Sequence, residues 1–217
     1  MVLLNRLLDI LYPPKCVFCG KILEPAGGFV CKVCKEKLPY TRGAEIKRRG
    51  EFFDFCLAPL YYRGSVRDSI LDFKFGNRPG RAEGYAALIS ECAGENLDVD
   101  IDLITWAPIS KKRFRKRGYD QSRLIALSVA KALGKPAVKT LDKHTDIPAQ
   151  SSISDPARRR ANVMDVYAAV EPENFKGKRV LLIDDIITTG ATMSECARTL
   201  LMAGAERVIG ACIARAD

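Results

Sequence analysis

The segment Val180-Leu-Leu-Ile-Asp-Asp-Ile-Ile-Thr-Thr-Gly-Ala-Thr192 constrains this chain most. Four apolar residues lead into Asp184 and Asp185, and a small hydroxyl-rich turn follows before a helical pattern begins. Read by period and breaker, this is a buried strand, a short loop and a helix. In a parallel sheet, ligands bind beyond the carboxyl ends of the strands. A glycine-containing turn at a helix N-terminus offers free N–H groups and the positive end of the helix dipole, which favour an anion. Thr188, Thr189, Gly190, Ala191 and Thr192 therefore read as a phosphate cradle. Two adjacent carboxylates ahead of it can accept hydrogen bonds from sugar hydroxyls, or hold magnesium through water. Hydroxyls beside a terminal phosphate point to a ribose 5-phosphate. A Walker loop and a G-x-G-x-x-G turn are both missing from the sequence.

The rest of the chain fits an α/β fold with a mainly parallel sheet. Strands are expected at 52–62, 103–107, 138–141, 178–183 and 208–214. Helices are expected at 65–75, with Ser65 as cap, at 82–94, at 119–133 with Gly134 as stop, and at 190–203 before Gly204. The 217 residues and 47% hydrophobic content are enough for one large domain with a small attachment. A boundary is placed near residue 50, where Lys47, Arg48, Arg49 and Gly50 make a charged break. This gives a module at 1–50 and an α/β domain at 51–217.

The module carries four of the eight cysteines, as Cys16-x-x-Cys19 and Cys31-x-x-Cys34. Two thiolates three residues apart grip one metal ion in a tight turn, and Gly20 after the first pair tolerates the positive φ of such a knuckle. Two knuckles complete a four-cysteine zinc site, and with no open position it is structural. The alternatives are a site that has lost its metal, or a redox pair; no thioredoxin-like βαβ unit is evident around either pair. Cys56, Cys92, Cys196 and Cys212 are scattered in apolar contexts and read as small buried hydrophobes. The first twelve residues place leucines at helical spacing, but Arg6 and Asp9 interrupt them. No run reaches the roughly 20 apolar residues of a membrane span, and no secretory signal is visible, so a cytoplasmic protein with reduced thiols is expected.

Seven cations (Lys111, Lys112, Arg113, Arg115, Lys116, Arg117, Arg123) lie between 105 and 125 against Asp120 alone, within a chain of formal charge +9. Following a strand, they stand at the same sheet edge, where arginines bind pyrophosphate oxygens. A solvated basic loop or a nucleic-acid footprint are the other readings. His144 is the single histidine and reads as a surface residue rather than a base.

The segment 180–192 resembles the motif by which type I phosphoribosyltransferases bind 5-phosphoribosyl 1-diphosphate (PRPP). Pro108-x4-Arg113-x3-Arg117-Gly118-Tyr119-Asp120-Gln121-Ser122 resembles the R-G-[FY]-[ND]-Q stretch of ComF-family proteins. Tyr61-Tyr62-Arg63-Gly64 with Lys74-Phe75, Gln150 with Arg158-x3-Asn162, and Tyr12-Pro13-Pro14-x-Cys16 are similar to further parts of that family. Asp120 departs from it, standing where Asn is common. The resemblance covers nearly the whole chain. It implies a type I phosphoribosyltransferase-like sheet with an N-terminal zinc module, and a link to competence and DNA uptake. It implies that Asp184 and Asp185 contact the ribose hydroxyls and that 188–192 holds the 5-phosphate. Arg113 and Arg117, joined by Lys74, would take the pyrophosphate. Residues 145–162 would close over PRPP with Arg158 and Asn162. A nitrogen nucleophile would attack C1 as magnesium-bound pyrophosphate leaves. A non-catalytic protein binding PRPP or single-stranded DNA, acting with a helicase-like partner, is the competing expectation. The zinc unit would then either staple a short segment or dock that partner.

Overall fold

The computed structural model describes residues 13–24, 28–144 and 166–217. The expected leading helix, the loop 145–162, Arg158 and Asn162 lie outside the described residues. In chain order the strands are β1 (Lys47–Arg48), β2 (Cys56–Leu57), β3 (Leu60–Tyr61), β4 (Leu103–Trp106), β5 (Leu141–Lys143), β6 (Tyr167–Ala169), β7 (Arg179–Ile183), β8 (Ile186–Ile187), β9 (Arg207–Ala211) and β10 (Ala214–Arg215). The helices are α1 (Lys32–Lys37), α2 (Gly64–Phe75), α3 (Arg81–Asn96), α4 (Lys111–Arg117), α5 (Gln121–Leu133) and α6 (Ala191–Met202).

Five strands run in the order β1-β2-β9-β7-β4, parallel except for β1. A parallel three-stranded sheet, β3-β10-β8, continues three of them. Each of those three strands steps sideways at one level, between β2 and β3, β7 and β8, and β9 and β10. The step keeps its ladder: Asp184 N donates to Ala211 O (3.1 Å), Cys212 N to Leu57 O (2.9 Å) and Ile213 N to Asp185 O (3.1 Å). Pro59, which has no N–H to give, sits at the step on the first strand.

Both sheet faces are covered, so the strands read as unbroken apolar runs. Ile104, Leu181, Ile183 and Ile209 face Tyr85 and Ile89 of α3 and Ile125 and Val129 of α5. Leu103, Val180, Leu182 and Val208 face Met193, Cys196 and Leu200 of α6. The alternation along β4, β7 and β9 is the period of two that a strand imposes.

Four expectations shift in detail. The strand at 52–62 is two short pieces, β2 and β3. The N-cap of α2 is Arg63, with no side-chain cap bond, and Ser65 lies inside the helix. Strand β5 begins at Leu141 and pairs antiparallel with β6, whereas Ala137 makes only an isolated bridge with Ile104. The basic loop is a helix, α4: Ser110 Oγ accepts from Arg113 N (3.3 Å), and Gly118 at φ 80 ends it.

The N-terminal residues pack into the same core. Val17, Phe18, Leu23 and Leu38 are buried in the cluster that holds Ile70, Phe73 and Tyr85. Gly84 of α3 permits the approach, since a Cβ there would stand 2.3 Å from Val17 Cγ1. Among the described residues no helix is long and apolar enough to cross a membrane.

Candidate functional site

Asp184 and Asp185 stand at the sheet step, directly after β7. The Asp184 carboxylate accepts from Ser122 Oγ (2.9 Å) on α5 and from the Asp185 N–H (2.8 Å). Burial pushes its pKa up to about 7, and the negative charge of Asp185 adds to the shift; Lys74 and the two donors oppose it. Asp185 is buried and pairs with Lys74 Nζ at 2.8 Å, from the last turn of α2. The fold thus brings Lys74 and Ser122 onto the two acids from two different helices. In the sequence, Ser122 reads only as the end of the Arg117-Gly118-Tyr119-Asp120-Gln121-Ser122 motif. Nothing in the sequence ties it to an acid 62 residues further on.

The chain crosses from β8 into α6 through Thr188, Thr189 and Gly190. Gly190 caps the twelve-residue helix at φ 84, a left-handed conformation that a side chain strains. Thr189 Oγ1 accepts from Ala191 N at 3.4 Å. The remaining first-turn N–H groups have no intrahelical acceptor and point along the axis. This loop opens on the same edge as the two acids. It sets a turn with free N–H donors beside a pair of carboxylate acceptors.

On α4, Arg113 and Arg117 are four residues apart and share one face. Both are half-buried, while Lys111, Lys112, Phe114, Arg115 and Lys116 are exposed. Arg117 donates to Gln121 Oε1 (2.8 Å) and lies over the Phe75 ring at 5.1 Å. Burial lowers its pKa, and the charge of Asp185 works against that. Asp120 has a local structural role. It is the N-cap of α5, accepting from Arg123 N (3.1 Å) and Ile109 N (3.2 Å), and burial raises its pKa. Asn can accept the same bonds, which accounts for either residue at this position.

The four module cysteines gather at one point: the Sγ atoms of Cys16, Cys19, Cys31 and Cys34 all lie within 4.8 Å of one another. Cys19 and Cys31 approach to 3.7 Å, close to the edge of a ZnS4 tetrahedron with bonds of about 2.3 Å. Lys15 and Ile22 bridge around the first knuckle, and Gly20 there has φ 74. The second pair opens α1, with Cys31 as its N-cap. Burial raises the Cys16 thiol, but N–H donors from Cys19, Cys31 and Phe18 outweigh it and bring it to about 7. Cys34 is pushed up, by burial first and then by the other sulfurs. Four crowded sulfurs resist shedding their protons together unless a cation neutralises them, so the donor set fits a structural zinc.

A phosphoribosyl transferase domain family matches residues 124–217, and a double zinc ribbon domain family matches residues 7–46. Competence protein F of Haemophilus influenzae is 33% identical over 220 residues, covering 89% of this chain and 93% of that one. DNA utilization protein YhgH of Escherichia coli O157:H7 is 28% identical over 114 residues, 52% of this chain and 49% of the relative. Adenine phosphoribosyltransferase from Saccharomyces cerevisiae aligns with a TM-score of 0.41 and 17% identity, over 66% of this chain and 72% of that one. The domain matches, the parallel sheet and the cysteine cluster define a type I phosphoribosyltransferase fold with an N-terminal zinc ribbon. With most of its length matched to a competence protein F, the chain belongs to the ComF family.

Proposed function

We propose that the chain binds PRPP at the sheet step and transfers its phosphoribosyl group to a nitrogenous acceptor. The observation that carries this reading is the juxtaposition of Asp184 and Asp185 with the cradle at 188–192 on one sheet edge. The carboxylates accept the ribose 2′- and 3′-hydroxyls, and the cradle takes the 5-phosphate. Arg113 and Arg117 face the leaving pyrophosphate, with Lys74 beside Asp185. Displacement at C1 through an oxocarbenium-like transition state needs no covalent nucleophile; positioning and charge stabilisation suffice. The hard oxygen donors of Asp184 and Asp185 fit magnesium held through water. Magnesium would neutralise charge on the departing pyrophosphate. The names of the relatives support a place for this chemistry in DNA uptake or utilisation.

The test is a screen of PRPP with purine, pyrimidine and amine acceptors, read by mass spectrometry, on wild type and on the double variant Asp184→Asn, Asp185→Asn. Wild type is expected to give an acceptor adduct heavier by one phosphoribosyl unit, which the double variant does not form. Turnover by the double variant equal to wild type would sink the proposal.

One observation favours a second reading, single-stranded DNA binding. Lys111, Lys112, Arg115 and Lys116 face outward on α4, around Phe114, which is 48% exposed. Cations on a phosphate backbone with one stacking ring make a sequence-tolerant surface. It predicts oligonucleotide anisotropy that falls steeply with salt. No signal at low salt would exclude it.

A further inference from the structure

Strands β5 and β6 form an antiparallel ribbon in which Lys143 and Tyr167 are direct partners. Lys143 Nζ donates to Tyr167 Oη at 3.0 Å and lies 4.8 Å from the centre of the same ring. Tyr167 is buried in the cluster that includes Ala107, Met193 and Cys196. The ribbon is tied to β4 by the Thr105 and Thr140 hydroxyls, 2.7 Å apart. It also packs on α6, the helix whose N-terminus is the phosphate cradle. Tyr167 therefore lies between Ala107, at the end of the strand that leads to Arg113, and Met193 and Cys196 in the first turns of α6. Burial pushes the Tyr167 phenol well up. The charge of Asp184 adds to that and the Arg113 charge opposes it, so both site residues lie within electrostatic reach. Tyr167 thus stays a phenol, able to accept the Lys143 hydrogen bond. No motif in the sequence singles out Lys143.

We infer that Lys143, held by Tyr167, is a further cation of the diphosphate subsite and acts on the same anion as Arg113. The inference rests on the phosphoribosyl reading above and adds a ligand-binding group to it. An ammonium on a four-carbon stem loses much rotamer freedom when it grips an anion. A hydrogen bond and a ring contact with a buried tyrosine remove part of that loss before the ligand arrives. The ligand class is a diphosphate: the leaving group of PRPP, or free inorganic pyrophosphate.

The test uses the full chain and two probes, inorganic pyrophosphate and ribose 5-phosphate, each titrated calorimetrically with magnesium. Lys143→Met keeps the stem and removes the charge. It is expected to weaken pyrophosphate binding about tenfold or more, as loss of a charge-assisted bond does, while ribose 5-phosphate stays within twofold. Lys143→Arg is expected to restore pyrophosphate affinity. Tyr167→Phe, which removes only the positioning oxygen, is expected to fall between. A merely structural role would weaken both probes together. Pyrophosphate affinity unchanged in Lys143→Met, or lost equally with ribose 5-phosphate, overturns the inference alone. Failure of wild type to bind either probe overturns the phosphoribosyl reading and the inference with it.

Discussion

Burial and the adjacent Asp185 hold the Asp184 carboxyl up near 7, against about 3.9 in an unfolded chain. Between about pH 4 and 7 the folded chain keeps a proton that the unfolded chain has released. Stability therefore falls as pH rises through that window. Asp184→Asn is expected to be more stable than wild type at pH 8, by at most about 4 kcal/mol, with the gap closing near pH 4. Urea melts across pH 4 to 8 check this; a gap that does not vary with pH contradicts it. Asp120 gives the opposite kind of prediction. As an N-cap it tolerates Asn within about 0.5 kcal/mol, whereas Asp120→Ala costs about 1 kcal/mol. Thermal melts of the two variants decide it. Both acids of the pair were legible in the sequence, because each sits in a local motif. The partners Ser122 and Lys74 on Asp184 and Asp185 were not equally so, because they meet the acids only through tertiary packing.

Helix α4 places six cations in seven residues, and its geometry sorts them. Arg113 and Arg117 turn inward, and Lys111, Lys112, Arg115 and Lys116 turn to solvent. Arg113→Ala is expected to weaken PRPP about tenfold in a calorimetric titration. The outward pair Lys112→Ala with Arg115→Ala is expected to leave PRPP unchanged while lowering any oligonucleotide affinity. Equal loss of PRPP in both variants would contradict this sorting. A run of cations reads locally as a solvated loop. What makes it a helix is Ser110 at one end and Gly118 at the other, a cap signal hidden beneath the charge. The long strands and helices were legible because their apolar period is strong. The break of β2 from β3 was not, because the sheet step requires three strands to shift together.

Over the whole molecule, the zinc ribbon and the α/β domain share one core. Val17 and Phe18, beside the first knuckle, are buried against α3, with the Phe18 and Tyr85 rings 6.2 Å apart. Cysteine spacing announces the metal but not this docking, since the fit depends on Gly84, a residue with no local signature. Stripping the metal with a chelator is expected to lower the melting temperature of the whole chain, not of the first fifty residues alone. A single unshifted transition after verified metal loss would contradict a shared core. On the proposed function, the two acids and the cradle form one PRPP site. Isothermal titration of PRPP, with and without magnesium, into wild type and the Asp184→Asn, Asp185→Asn double variant decides this. Magnesium-dependent binding at one site per chain is expected, abolished in the double variant with its fold intact by circular dichroism. No binding by wild type, or equal binding by the double variant, would contradict it.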